Sequence, residues 1–126
     1  MHMEVQEIVK LAINALEDVK GKNIVSLDTS KLTSLFSHLI VATGDSNRQV
    51  KALANNVAVD LKAAGVDIVG TEGHESGEWV LVDAGDVVIH VMLPAVRDYY
   101  DIEALWGGQK PSFVPVGGRP WDATAE

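Results

Sequence analysis

Four consecutive apolar residues, Leu39-Ile40-Val41-Ala42, lie between Ser37-His38 and Thr43-Gly44. A strand that is apolar at every position cannot leave one face in water, because successive side chains point to opposite sides of the sheet. The segment 37–43 therefore predicts a strand buried on both faces. Gly44 ends the run, and Asp45 or Ser46 is suited to cap a helix that follows at once.

That helix is predicted over about 47–64, with Val50, Leu53, Ala54, Val57, Leu61 and Ala64 as its buried stripe and Gly65 just beyond its end. An earlier helix is expected over about 3–20, where Val5, Ile8, Val9, Ala12, Ile13, Leu16 and Val19 recur at spacings of three and four. Gly21 is placed to end it. Segment 23–28 reads as a strand, and 29–34 as a loop. Segment 66–71 predicts a third strand, with a turn at 73–77. Strands over 78–83 and 86–93 are expected to form a hairpin through Ala84-Gly85. Pro94 can open a short helix reaching Trp106, with a break near Asp101. From 107 to 126 the chain holds four Gly and three Pro, which argues against regular structure, although Phe113, Val114 and Trp121 suit docking. The order α-β-β-α-β-β-β-α describes one α/β domain over 1–106 with a Gly/Pro-rich tail over 107–126. Its helices cover a mixed sheet in one layer pair or in three layers.

Composition narrows the function classes. The 126 residues are 47% hydrophobic and 22% charged, a globular balance at single-domain size. Ten Lys and Arg against 18 Asp and Glu give a net charge of −8, which disfavours a broad nucleic-acid-binding face and suits a basic protein partner. Cysteine is absent, which excludes disulfides, thiol catalysis and Cys-based zinc sites. No apolar run approaches the ~20 residues of a membrane span. The N-terminus lacks the pattern of a secretory signal, so the expected compartment is the cytoplasm.

Candidate chemistry is thin. Gly44-Asp45-Ser46-Asn47-Arg48, between a strand and a helix N-terminus, is a place where anions can bind, but it has one Gly, no following Lys, and an Asp that repels phosphate. The favoured reading is a turn and a cap. Asp83 and Asp86 flank the hairpin tip, but their Asp-x-x-Asp spacing does not put both on one face of one strand as a metal pair requires. His90, inside Val87-Val88-Ile89-His90-Val91-Met92, suits a hydrogen-bonded structural role or a general base without a nearby nucleophile. Glu72, His74 and Glu75 match no strong metal spacing. Trp79 and Leu81 share a strand face with Asp83; that face is either sandwiched in the core or exposed to a partner. The acidic-aromatic stretch Asp98-Tyr99-Tyr100-Asp101-Ile102-Glu103-Ala104-Leu105-Trp106 is either a helix covering the sheet or a docking surface for a basic partner.

Three segments taken together carry a resemblance. They are Ile40-Val41-Ala42-Thr43-Gly44-Asp45-Ser46-Asn47-Arg48-Gln49-Val50; Glu72-Gly73 with Gly77-Glu78-Trp79-Val80-Leu81-Val82-Asp83-Ala84-Gly85-Asp86-Val87-Val88-Ile89-His90-Val91; and Arg97 through Trp106. Over roughly 5–106 the chain resembles the ribosomal silencing factor, or Iojap-like, family. The resemblance implies a mixed five-stranded sheet packed with helices in a nucleotidyltransferase-like topology, without the catalytic carboxylate set. It further implies a bacterial cytoplasmic protein, homodimeric when free, with no enzyme activity and no cofactor. Such a protein docks on ribosomal protein fourteen of the large subunit, blocks joining of the small subunit and represses translation under nutrient limitation or in stationary phase. The chain departs from the family at Ser37, where an Asp is usual, and at His38, where an aromatic residue is usual. On this reading the docking surface comprises Trp79 and Leu81 as apolar anchors and Asp83, Asp86, Asp98, Asp101 and Glu103 as complementary charge. Tyr99, Tyr100 and Trp106 either complete that surface or hold the helix on the sheet. The rival reading is a nucleotidyltransferase-like enzyme using Gly44, Ser46, Asp83 and Asp86.

Overall fold

A computed structural model describes residues 3–106, so the tail and its proposed docking through Phe113, Val114 and Trp121 lie outside the described residues. The elements are α1 (Val5–Asp18), β1 (Lys22–Asp28), β2 (His38–Thr43), α2 (Asn47–Ala63), β3 (Gly70–Glu72), β4 (Trp79–Asp83), β5 (Val87–Met92), α3 (Pro94–Tyr100) and α4 (Ile102–Leu105). The five strands form one sheet in the order β1-β2-β5-β4-β3. Only β2 and β5 are parallel, and the other neighbours run antiparallel. This is the expected mixed five-stranded sheet.

Strand β2 is buried at all six positions, as its unbroken apolar run requires. Alternation sends Ile40 and Ala42 to one face, where they join Val80, Val82, Ile89 and Val91 beneath α1 and α2. Leu39 and Val41 go to the other face, where they pack with Met92 and with Ile102 of α4. The sheet is thus covered on both sides, but unequally: two long helices on one face, and the short α3–α4 pair over part of the other.

Local chemistry sets the boundaries. Ser46 caps α2, its hydroxyl accepting the Gln49 amide at 3.1 Å, so of the two cap candidates Ser46 is the one used. Gly44 lies so close to α2 that a Cβ would stand 3.0 Å from both the amide nitrogen and a methyl of Val50. Helix α1 ends before Gly21: Lys20 takes the left-handed turn at φ 62°, and the Gly21 amide closes on Leu16 O at 2.8 Å. The third strand is shorter than 66–71 predicts. Val66 N–H is held by Leu61 O and its side chain is buried in the core, so the chain meets β4 only from Val69, whose amide donates to Asp83 O at 2.7 Å, and pairs as a strand from Gly70. The hairpin loop is Gly85-Asp86 rather than Ala84-Gly85, since Ala84 N–H still pairs with Val87 O at 2.9 Å.

A buried ion pair holds α3–α4 in place. Arg97, 7% exposed, donates from Nε and Nη2 to the two carboxylate oxygens of Glu103 at 3.0 and 2.9 Å. Its Nη1 donates to Asn23 O at 2.6 Å and to Thr43 Oγ1 at 2.7 Å. One guanidinium therefore joins α3, α4, β1 and β2. Asp101, in the left-handed region at φ 47°, reverses the chain between the two helices so that Glu103 turns back onto Arg97. Removing one member of such a pair leaves an uncompensated buried charge. Glu103→Leu is therefore expected to cost about 3–5 kcal/mol in urea unfolding. The double variant Arg97→Met with Glu103→Leu should recover most of that loss, keeping a deficit of roughly 1–3 kcal/mol from the abandoned Asn23 and Thr43 acceptors. Equal stability of Glu103→Leu and the parent would show the pair to be idle.

A candidate docking face on the open half of the sheet

The face bearing Leu39 and Val41 continues across β5 and β4 as Val88, His90 and Met92, then Asp83, Leu81 and Trp79, by the observed register. Helices α3 and α4 occupy its Leu39–Met92 side. Towards β3 the face stays open: Glu72, Gly73, Trp79, Leu81 and His90 line a shallow cavity of about 280 Å³. Gly73 is fixed as glycine by this geometry, for at φ 93° an added Cβ would meet Trp79 O at 2.0 Å.

Trp79 resolves the choice between core and interface by being half of each. Its ring packs partly against the Leu39–Met92 cluster, yet it lines the open cavity. The indole Nε1–H donates to His90 Nδ1 at 2.9 Å. An indole N–H can only donate, so Nδ1 is the bare nitrogen and the neutral imidazole carries its proton on Nε2. Trp79 also meets Tyr100 at a centroid distance of 5.0 Å, and Tyr100 meets Tyr99 edge-on at 4.9 Å. The two tyrosines are 42% and 52% exposed, which makes them the outer end of an aromatic ledge rooted at Trp79.

The proposed site residues thus divide. Trp79, Leu81, Tyr99 and Tyr100 are brought to one region. Asp98 is exposed on α3, and Asp86 is exposed at the hairpin tip. Asp83 is half-buried, with Oδ1 accepting the Gly85 amide at 2.8 Å. Two residues need correcting: Asp101 is 1% exposed and Glu103 is 4% exposed. Neither offers charge to a partner, because the αL reversal at Asp101 points Glu103 inward to Arg97. Trp106 sits against Phe36 at 5.0 Å on the α4 side, holding that helix to the loop before β2. The residues that sequence reasoning missed are His90 as a partner of Trp79 and Arg97 as the support of α3. A hint was present for each: a His in the middle of an apolar strand, and an Arg embedded next to Val96 in a short helix.

The rival constellation does not assemble. Gly44 and Ser46 follow the Thr43 end of β2, which pairs with Met92; Asp83 and Asp86 lie near the opposite end, where His38 pairs with Val87. At ~3.3 Å per residue the two groups stand roughly 17 Å apart along the strands. Asp45 is engaged by Lys22 at 2.6 Å and its amide by Gln49 Oε1 at 2.7 Å. Among the described residues no three His, Asp or Glu side chains group as metal ligands, Glu72, His74 and Glu75 included.

Burial pushes the His90 imidazole down from 6.5 to about 4. Between those values the unfolded chain binds a proton that the folded chain does not, so the His90 contribution is complete above pH 6.5 and is lost as pH falls toward 4. Glu72 of β3 shares its cavity, Tyr100 of α3 reaches it through Trp79, and Val41 beside it on β2 is apolar. Urea unfolding across this pH range should show the parent losing on the order of 3 kcal/mol more than His90→Asn. Parallel pH profiles for the two proteins would contradict the buried neutral imidazole.

Comparison with known proteins places the chain. The family model described as ribosomal silencing factor during starvation matches residues 2–124. A ribosomal silencing factor of Chromobacterium violaceum is 81% identical over 121 residues, covering 96% of this chain and 99% of that protein. A crystal structure of a Chromobacterium violaceum protein superposes with a TM-score of 0.85 at 82% identity, covering 94% of this chain and 99% of that one. More distantly, a mouse protein named mitochondrial assembly of ribosomal large subunit protein 1 is 25% identical over 83% of this chain, which spans 47% of that protein. The chain belongs to the ribosomal silencing factor family.

Proposed function

We propose that the chain represses translation by occupying the large ribosomal subunit, at its ribosomal protein fourteen, so that the small subunit cannot join. Repression is by occlusion and involves no catalysed reaction. It operates in the bacterial cytoplasm under nutrient limitation or in stationary phase, and the free protein is a homodimer. The observation that carries the reading is the open sheet face, where the aromatic ledge Trp79-Tyr100-Tyr99 and Leu81 lie together in a chain of this family. Aromatic residues on a rigid sheet are the kind of anchor that dominates protein interfaces. Exposed Asp86 and Asp98 and the net charge of −8 favour a basic partner, as ribosomal proteins generally are. The name of the mouse relative also points to the large subunit.

The test is sedimentation of the purified protein with separated 30S and 50S particles at two salt concentrations. Association with 50S alone, weaker at higher salt and accompanied by less 70S, is the expected result. Tyr99→Ala, at an exposed position, should leave the melting temperature nearly unchanged and weaken 50S binding roughly tenfold, the effect of about 1.4 kcal/mol. Absence of the protein from the 50S fraction would overturn the reading, and undiminished binding by Tyr99→Ala would remove the ledge from it.

A further inference from the structure

Trp79 and His90 form a diagonal pair on neighbouring strands, for the register sets Trp79 opposite Met92 and His90 opposite Leu81. Diagonal neighbours on one sheet face are within reach of large side chains. Here the reach ends in a directed hydrogen bond, indole Nε1–H to imidazole Nδ1 at 2.9 Å, with ring centroids 5.9 Å apart. A half-buried indole has alternative rotamers; only those that point Nε1 at β5 keep this bond. In the observed one the ring lies 45° to Tyr100, which in turn stands at 86° to Tyr99. The exposed tyrosines thus stack outward from the ring that this acceptor holds.

We infer that His90 is the positioning residue of the docking face: its bare Nδ1 fixes the Trp79 indole, and through it sets Tyr100 and Tyr99 as a preformed ledge. A ledge fixed before contact loses less side-chain freedom on binding, so His90 raises affinity without touching the partner. Protonation at Nδ1 would set donor against donor and release the indole. The use of the ledge rests on the ribosome-docking reading above, whereas the coupling of His90 to Trp79 does not.

The two are separated by measuring the free protein first. In ¹⁵N-labelled protein, with the Trp79 indole resonance identified by its loss in Trp79→Phe, His90→Leu should move the indole proton upfield. It should also speed that proton's exchange with solvent roughly tenfold, as loss of one hydrogen bond predicts. His90→Asn, which returns an acceptor near the Nδ1 position and cannot titrate, should restore both. In Trp79→Phe, where nothing donates to Nδ1, the His90 ring should titrate at higher pH than in the parent. An indole resonance indifferent to His90→Leu, or a His90 titration indifferent to Trp79→Phe, would overturn the inference. With parent binding to 50S established, His90→Leu should bind about fivefold more weakly, a factor within that expected for one loosened aromatic anchor, and His90→Asn should bind nearly as the parent does. Equal 50S affinity of all three would overturn the positioning role. Failure of the parent to bind 50S would instead overturn the ribosome reading, while the indole measurement would still decide the His90–Trp79 coupling.

Discussion

The buried guanidinium of Arg97 is the constraint on which this arrangement turns. Its donors reach Glu103, the carbonyl of Asn23 and the hydroxyl of Thr43, so the last helices are fixed to the first two strands by one side chain. Helices α3 and α4 are too short to be stable by themselves, having seven and four residues. Their apolar contribution to the second core is small, with Ile102 as its buried member and Val96 packed partly against it. Without a polar tie, a pair of such helices would have little reason to hold one position on the sheet. A planar fork with several donors suits that role, because it meets a carboxylate with two bonds and retains donors for other elements. The cost of burying the charge is offset by Glu103 and the two added acceptors, and the gain is a defined position for α3.

That position matters because α3 carries Tyr99 and Tyr100. The ledge is attached at two ends: through Tyr100 to Trp79 and His90 on the sheet, and through the backbone of α3 to Arg97 and Glu103. The two supports are chemically different. One is a neutral hydrogen bond at the margin of an open cavity, and the other a charged pair shielded from water. Acid weakens the first by protonating His90, whose imidazole is held down near 4 by burial. Surface stability and the shape of the exposed face are thus linked, although the residues responsible are largely out of a partner's reach.

Much of the fold was legible because it depends on periodicity. The unbroken run at 39–42 required a doubly covered strand, and the three-and-four spacings of α1 and α2 required helices with one buried stripe. Ser46 and the break at Asp101 were readable from turn and cap chemistry. The short β3 was not, because Val66 and Ile68 look like strand residues whether they pair with a neighbour or simply drop into the core beside α2. The site was less legible for a related reason. Acidic residues at 98, 101 and 103 look alike in sequence, and a continuous helix would put all three near water. One residue with positive φ changes the direction of the chain, leaving Asp98 outside and enclosing Glu103.

Gly44, Ser46, Asp83 and Asp86 likewise suggest a phosphate-handling site in sequence and do not make one in space. Each serves the fold locally. Gly44 permits close approach to α2, Ser46 caps that helix, and Asp83 closes the hairpin at Gly85. The Asp86 carbonyl accepts the Ser37 and His38 amides. This last contact joins the tip of the β4–β5 hairpin to the start of β2, so Asp86 helps set the register of the parallel pair with its backbone while its side chain remains exposed. Residues that suggest catalysis are also good turn formers, and sequence alone does not separate the two uses. What separates them is convergence. Here Gly44 and Ser46 stand at one end of the sheet and Asp83 and Asp86 at the other, and what gathers on the open face is Trp79, Leu81, Tyr100 and Tyr99, with His90 holding the indole and Glu72 beside them. An aromatic face of that kind supports the docking reading proposed above.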